Sequence, residues 1–202
     1  TPSWDMPDIY MKTNAIGTIY LLEACLQNQI SPKILISATP EEFGDVPKEM
    51  IPINEQTRVH PINPYAASKA AQDMIAMTYF ASYNFPIIRT RAFNHEGPRR
   101  DILGANASFA YQIALIERDK KKYIDVGNLE ATRNFTDVKD IVRAYYLAME
   151  KGDIGELYLI GSDQIYTMKE CLETLISLST DPSKMKYKVQ KDRIRPTELR
   201  TF

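Results

Sequence analysis

The sequence is poor in the residues from which disulfide frameworks and metal sites are built. It contains two cysteines, Cys25 and Cys171, and two histidines, His60 and His95, among 202 residues. Two thiols so far apart in the chain form neither a disulfide framework nor a zinc cluster, and they are typical of a reducing cytosol. Two histidines likewise argue against a histidine-based metal site, so no metal is expected.

The sequence also has no large excess of positive or negative charge and no long apolar run. Lys plus Arg number 25 and Asp plus Glu 26, so the net charge is −1, which argues against nucleic-acid or anionic-membrane binders because these are basic. The longest apolar stretches, such as residues 19–22, fall far short of the roughly 20 residues that cross a bilayer. No signal peptide is recognisable. We therefore expect a cytoplasmic protein without a nucleic-acid or membrane partner.

What the sequence does contain is an alternation of helical and strand patterns. Helical spacing of apolar residues predicts helices at 7–29, 65–83, 107–120, 138–151 and 167–179, and short apolar runs predict strands at 33–38, 86–93, 123–126 and 155–161. Residues 1–5 and the proline-rich segment 41–64 are predicted to be loops. Alternating helices and buried strands predict an α/β fold with a doubly wound parallel sheet.

Tyr65 and Lys69 form a Tyr-x-x-x-Lys pair at the start of a predicted helix. Positions four apart share a helix face. An ammonium beside a phenol favours the phenolate, so the tyrosine could act as an acid or base below its usual pKa of about 10. Tyr187 and Lys191 have the same spacing, but they lie in a segment that alternates like a strand, where the spacing has no such meaning. Context therefore favours Tyr65 and Lys69.

Further candidates follow the predicted strand 33–38. Thr39 stands at its carboxyl end, where open α/β sheets place ligands, and its hydroxyl could bind a substrate oxygen beside the phenol. Glu41 could act as a general base toward a substrate C–H. Taken alone, Thr39 is as readily an ordinary strand-end residue, and Glu41 and Glu42 are better interpreted as solvated loop carboxylates.

Several segments together resemble the extended short-chain dehydrogenase/reductase family of nucleotide-sugar epimerases and dehydratases. The resemblance is carried by residues 14–24 (NAIGTIYLLEA), 39–44 (TPEEFG), 63–69 (NPYAASK), 91–100 (RAFNHEGPRR), 126–137 (VGNLEATRNFTD) and 195–198 (RPTE). The last three are similar to the branch of GDP-mannose 4,6-dehydratases and GDP-4-keto-6-deoxymannose reductases. The resemblance runs from about residue 3 to 199, and it implies a Rossmann-like fold with a small C-terminal substrate-binding lobe.

The resemblance also implies roles for individual residues. The implied catalytic residues are Thr39, Glu41, Tyr65 and Lys69, the implied NADP- or NAD-binding residues are Tyr65, Lys69, His95 and Arg100, and the implied substrate-binding residues are Asn94, Asn128, Arg133, Arg195 and Glu198. Arginine forks suit paired phosphates. Without the resemblance, Arg133 and Arg195 would be ordinary surface charges, and His95 a loop histidine bonded to the backbone.

The implied domain division places the C-terminal part of an NAD(P)-binding domain in residues 1–100. Residues 101–202 would mainly form the sugar-nucleotide lobe, with 134–165 returning to the sheet. The eight glycines never form Gly-x-Gly-x-x-Gly, so we interpret the chain as lacking the N-terminal part that carries the phosphate loop, and we expect weak dinucleotide binding. Pro40, Phe43 and the segment 106–109 also depart from the family pattern, the last by lacking the dehydratases' basic run.

Three functions stay open at this point. In GDP-mannose 4,6-dehydration by internal hydride transfer, Tyr65 takes the C4 hydroxyl proton and Glu41 the C5 proton. In reduction of GDP-4-keto-6-deoxymannose toward GDP-rhamnose, Tyr65 donates a proton and Glu41 has no required role. The third possibility is another nucleotide-sugar epimerase or dehydratase, or an inactive binding protein. We favour the dehydratase, and the resemblance implies a homodimer or homotetramer.

Overall fold

The computed structural model describes residues 2–193, so the predicted site residues Arg195 and Glu198 lie outside the described residues. The helices are α1 (Pro2–Asp5), α2 (Pro7–Met11), α3 (Gly17–Gln27), α4 (Pro64–Tyr83), α5 (Ala105–Glu117), α6 (Val138–Lys151) and α7 (Met168–Ser177). The strands are β1 (Ile34–Ala38), β2 (Ile87–Ala92), β3 (Asn94–Glu96), β4 (Ile124–Val126), β5 (Thr132–Asp137), β6 (Leu157–Ile160), β7 (Ile165–Thr167) and β8 (Tyr187–Val189).

The central sheet has the order β1-β2-β6, and both pairings are parallel. Its apolar strands are the ones that the sequence predicts, because runs such as Ile34–Ala38 are too short and too apolar for anything but a buried strand. Helices α3 and α4 pack on the sheet through a buried cluster that includes Leu22, Ala76 and Ile87. The predicted parallel α/β fold is therefore confirmed.

The predicted helix 7–29 is interrupted by a π-helical turn at Lys12–Ile16, between α2 and α3. Within that turn, Asn14 Nδ2 donates to Ser68 Oγ at 2.9 Å, and Ser68 Oγ donates to the carbonyl of Tyr65 at 2.7 Å. π turns occur often at functional sites. Here the turn ties the α2–α3 segment to the first turn of α4.

A second group of elements packs around Phe109, Ile113, Ile124 and Leu172. Strand β5 pairs in parallel with β3 and antiparallel with β7, and β4 pairs in parallel with β8. The sequence analysis missed β3, β5 and β7, because these strands are three residues long or, in β5, polar (TRNFTD) and without an apolar run. Helix α7, predicted from residue 167, begins with a capping box in which Thr167 and Glu170 are bonded reciprocally.

The prediction of a loop at residues 1–5 is wrong, because Pro2–Asp5 is a helical turn. Proline in a first helical position has its φ already set for a helix, and Ser3 is fully buried, so packing holds the turn in place. Among residues 2–193, no helix is both long enough and apolar enough to cross a membrane.

Candidate active site

Two adjoining clefts lie at the carboxyl ends of β1 and β2. The small cleft, of about 530 Å³, is lined by residues that include Thr39, Tyr65, Lys69, Asn94 and His95. The large cleft, of about 980 Å³, is lined by residues that include Asn128 and Arg133. Glu41, Asn94 and Arg100 line both clefts. The two clefts together are lined by every predicted site residue within 2–193.

Thr39 is held at the end of β1 by its own backbone and by its neighbours. It caps a short 3-10 helix, Pro40–Phe43, in which the Thr39 N–H donates to Glu42 Oε1 at 3.1 Å. The Thr39 hydroxyl accepts from the Glu41 N–H at 3.4 Å, and Thr39 and Tyr65 both line the small cleft. A threonine and a tyrosine therefore share the small cleft.

Asn63 aligns Glu41 with the start of α4. Its side-chain oxygen caps the helix by accepting from the Ala66 N–H at 2.8 Å, and its Nδ2 donates to Glu41 Oε2 at 2.8 Å. One side chain thereby orients the carboxylate and begins the helix that carries Tyr65. The sequence analysis did not single out Asn63, although an asparagine before a proline at a helix start is a recognisable capping signal.

The pKa of the Tyr65 phenol is raised, chiefly by burial and then by the negative charge of Glu41, while the Thr39 hydroxyl acts to lower it. Lys69 does not act on the phenol as predicted: its Nζ donates to Gln72 Oε1 at 2.6 Å, one turn along the helix. Burial lowers the pKa of Lys69 itself. The predicted lowering of the Tyr65 pKa is therefore wrong in this structure, in which the pKa is shifted upward.

Glu42 is not the solvated carboxylate expected from the sequence, because it is fully buried. Its Oε2 accepts from Arg91 Nε at 2.9 Å, and burial raises the pKa of Glu42 to about 7. The Arg91 guanidinium also lies 4.8 Å from the centre of the Phe43 ring. The phenylalanine that departs from the family pattern therefore supplies a face for a buried cation.

His95 lies on β3, and its Nδ1 is 2.9 Å from the carbonyl oxygen of Phe93. A carbonyl can only accept, so Nδ1 carries a hydrogen and donates it to this oxygen. Beside it, Arg100 Nε lies 3.9 Å from Glu96 Oε2, and burial raises the pKa of Glu96. His95 and Arg100 thus line the small cleft together with the other two predicted cofactor-binding residues, Tyr65 and Lys69.

The large cleft is rich in cations. Its lining includes Arg99, Arg100, Lys121, Arg133 and Arg193, against the acids Glu41, Glu96 and Asp101. Arg133 Nη1 donates to the carbonyl of Thr132 at 2.6 Å, and Arg193 Nη1 donates to that of Asp125 at 3.1 Å. An excess of guanidinium groups suits a diphosphate. The sequence analysis missed Arg99, although it adjoins Arg100, and nothing local marks Lys121 or Arg193.

Within residues 2–193, no group of three or more His, Cys, Asp or Glu side chains is arranged to hold a metal ion. The two clefts are lined by hydroxyl, phenol, carboxylate, guanidinium and ammonium groups. Proton transfer at a substrate oxygen fits the Thr39–Tyr65 pair, and proton removal from carbon fits Glu41.

Comparison with known proteins agrees with this geometry. A family model described as GDP-mannose 4,6 dehydratase matches residues 1–201. A GDP-6-deoxy-D-mannose reductase from Pseudomonas aeruginosa is 29% identical over 198 residues, covering 94% of this chain and 65% of the reductase. GDP-mannose 4,6 dehydratase 1 from Arabidopsis thaliana is 28% identical over 201 residues, covering 98% of this chain and 55% of that protein.

The solved structure of RMD from Pseudomonas aeruginosa complexed with NADPH matches with a TM-score of 0.88 at 28% identity. The match covers 98% of this chain and 66% of that one. This likeness confirms the predicted Rossmann-like α/β fold. The chain spans less than two thirds of the length of both relatives named above.

Proposed function

The chain belongs to the family that the GDP-mannose 4,6 dehydratase model describes, and from that premise we propose that it dehydrates GDP-mannose to GDP-4-keto-6-deoxymannose. The observation that carries this proposal is the place of Glu41. Glu41 lines both clefts, its carboxylate is oriented by Asn63, and it shares the small cleft with Thr39 and Tyr65. A base at that point is what an elimination needs in addition to a proton-transfer pair.

The small cleft fits the nicotinamide and ribose end of NADP or NAD. Lys69 has a half-buried ammonium for ribose hydroxyls, and His95 lines the same cleft. The structural relative that is bound to NADPH supports this assignment. The cofactor, when bound, would accept a hydride from the sugar and return it within the same turnover.

The residues of the chain would handle the protons. Tyr65, as the phenolate, would receive the proton of the C4 hydroxyl, with Thr39 hydrogen-bonded to the same oxygen, as that carbon becomes a ketone. The ketone acidifies the C5–H, and Glu41 would remove that proton and pass it to the departing C6 hydroxyl, which leaves as water. The hydride would return to C6 and the proton held by Tyr65 would pass to C5, so the net change is loss of one water.

The large cleft would hold the GDP portion. Arg133 and Arg193 present guanidinium groups there, and Asn128 lines the same wall. Arg195 and Glu198 remain predicted contacts, since they lie outside the described residues. In domain terms, residues 1–100 would bind the cofactor and residues 101–202 mainly the sugar nucleotide, with segment 134–165 returning to the sheet through β6.

A second candidate is the reductase that acts on the 4-keto product. Two observations favour it: the similarity to a GDP-6-deoxy-D-mannose reductase, and the raised pKa of Tyr65. A protonated phenol is suited to donate a proton to a ketone that is being reduced. In that reaction Glu41 would have no required role, which makes Glu41 the residue that separates the two functions.

The experiment uses the protein in its full natural length with GDP-mannose and a catalytic amount of NADP. The dehydratase predicts loss of one water from the sugar nucleotide, by mass spectrometry, without net NADPH formation. Glu41→Gln should abolish the elimination, while the exposed Glu49→Gln on the same loop should leave it unchanged. Unchanged mass together with NADPH oxidation on GDP-4-keto-6-deoxymannose would instead establish the reductase.

The remaining expectations follow the same premise. We propose a homodimer or homotetramer, and the exposed apolar side chains of α3 and α4, among them Tyr20, Leu21 and Tyr83, offer a surface for it. Sedimentation of the full-length protein would test this. A cytoplasmic location is the matching expectation, because nucleotide-sugar substrates and a pair of free thiols suit a reducing compartment.

A further inference from the structure

A buried charge network joins the loop that carries Thr39 to the helix that carries Tyr65. Arg91 Nη2 donates to Asp73 Oδ2 at 2.6 Å, and Arg91 Nε donates to Glu42 Oε2 at 2.9 Å. The exposed fractions are 0% for Glu42, 2% for Asp73 and 4% for Arg91. The network therefore lies behind the walls of the clefts and out of reach of a substrate.

The three residues come from three different elements. Glu42 lies on the 3-10 helix after β1, Arg91 on β2, and Asp73 on α4, four residues after Lys69. The second oxygen of Glu42, Oε1, accepts from the Thr39 N–H at 3.1 Å. A continuous path of contacts thus runs from α4 through β2 to the backbone of Thr39.

We propose that Arg91 and Glu42 are positioning residues that hold the Thr39 hydroxyl against the Tyr65 phenol. That Thr39 and Tyr65 react with the substrate rests on the proposed function. That Arg91 and Glu42 hold Thr39 in place rests on the hydrogen bonds described above. Burial of three charged groups costs desolvation, so an apolar cluster would serve stability equally well. What the charges add is geometry: the guanidinium fork of Arg91 fixes two carboxylates in one plane, which lysine cannot do.

Titration of Tyr65 tests the proposal without any substrate. Burial and the negative charge of Glu41 raise the pKa of this phenol most, the Thr39 hydroxyl lowers it, and the charge of Glu42 raises it by less than Thr39 lowers it. Glu42→Gln removes the charge but keeps an oxygen to accept from the Thr39 N–H, so it should lower the Tyr65 pKa. Glu42→Ala also releases Thr39, so it should raise that pKa.

The titration is read by NMR of tyrosine labelled at Cζ, with Tyr65→Phe to assign the signal. The exposed Glu49→Ala should leave the Tyr65 pKa unchanged. If Glu42→Ala does not fold, Arg91→Lys replaces it, because lysine keeps the charge but cannot hold both carboxylates, and it should raise the pKa as well. A lower Tyr65 pKa in Glu42→Gln and also in Glu42→Ala, or in Arg91→Lys where that replaces it, would overturn the proposal. Such a result would show an effect of charge alone.

Kinetics of the full-length protein give a second test. Glu42→Ala should lower kcat by about 100-fold with little change in KM, the size expected when a reacting group is displaced by about 1 Å. In a Thr39→Val background, the same substitution should have no further effect on kcat, since Glu42 acts through Thr39. An equal loss in both backgrounds would contradict the proposal. The protein could fail to turn over GDP-mannose while Glu42→Gln lowers the Tyr65 pKa and Glu42→Ala raises it. In that case the proposed function fails and the positioning role stands.

Discussion

The small cleft and the large cleft are built in different ways. In the small cleft, Thr39, Glu41 and Tyr65 are each held by hydrogen bonds to residues behind or beside them. In the large cleft, cations come from several separate segments, and Arg133 bonds a neighbouring backbone carbonyl. The difference follows from the task, since proton transfer needs placement within a fraction of an ångström, whereas a diphosphate is attracted by charge and tolerates adjustable side chains.

Loss of the Tyr65 hydroxyl should have the largest effect on activity. It separates proton transfer in the small cleft from binding in the large cleft. Tyr65→Phe is expected to lower kcat by about 10²–10⁴-fold while sugar-nucleotide affinity stays unchanged, because the phenol acts in proton transfer and not in the large cleft. Steady-state kinetics of the full-length protein measure both. Tyr187→Phe is the matched control, since Tyr187 also precedes a lysine by four residues but lies on β8. Equal losses in the two variants would refute the assignment.

Truncation of one core residue in each region compares their stabilities. Ile87 and Ile124 are both 0% exposed, in the separate clusters beneath the sheet and in the second group of elements. Ile87→Ala and Ile124→Ala should each lower the free energy of unfolding by about 2–5 kcal/mol, through lost burial and a residual cavity. Denaturant titration measures this, with the half-exposed Ile30→Ala as control. A negligible loss at Ile124 would show that the second cluster adds little to stability.

A change in the large cleft should affect binding and spare chemistry. Arg133→Lys keeps the charge but loses the fork that suits paired phosphates, so the Kd for the GDP-sugar should rise by about tenfold. Calorimetry measures the Kd, and kcat should stay close to that of the unaltered protein. Arg143→Lys, on the exposed face of α6, should change neither value. A large drop in kcat for Arg133→Lys would break the division of labour between the clefts.

The smallest effect is expected at the start of α7, which contributes Met168 to the large cleft. The Thr167 hydroxyl accepts from the Glu170 N–H at 3.0 Å, and Glu170 Oε2 accepts from the Thr167 N–H at 2.7 Å. Thr167→Ala should lower the free energy of unfolding by about 1 kcal/mol. Thr174→Ala, in the exposed middle of the same helix, should not lower it, since alanine is the better helix former. Thermal unfolding compares the two.

The elements that local patterns predicted well are those with strong periodicity. The helix predicted at 138–151 has those bounds in the structure, and the strands β1, β2 and β6 follow from short apolar runs. The missed strands β3 and β5 pair with each other across about forty residues of sequence, and nothing in either segment announces its partner. Their existence depends on tertiary pairing, which propensity does not encode.

The candidate site likewise has some features that local sequence patterns predict and others that depend on tertiary contacts. The sequence by itself determined which chemical groups are available, namely the hydroxyl of Thr39, the carboxylate of Glu41 and the phenol of Tyr65, along with the α/β order that places them after strands. Only the tertiary structure decided that Glu42 is buried against Arg91, that Lys69 turns to Gln72, and that Glu41 lines both clefts. The physical reason is that spacing along the chain acts through local backbone geometry, whereas burial and charge neighbours come from residues distant in sequence, such as Glu42 and Arg91.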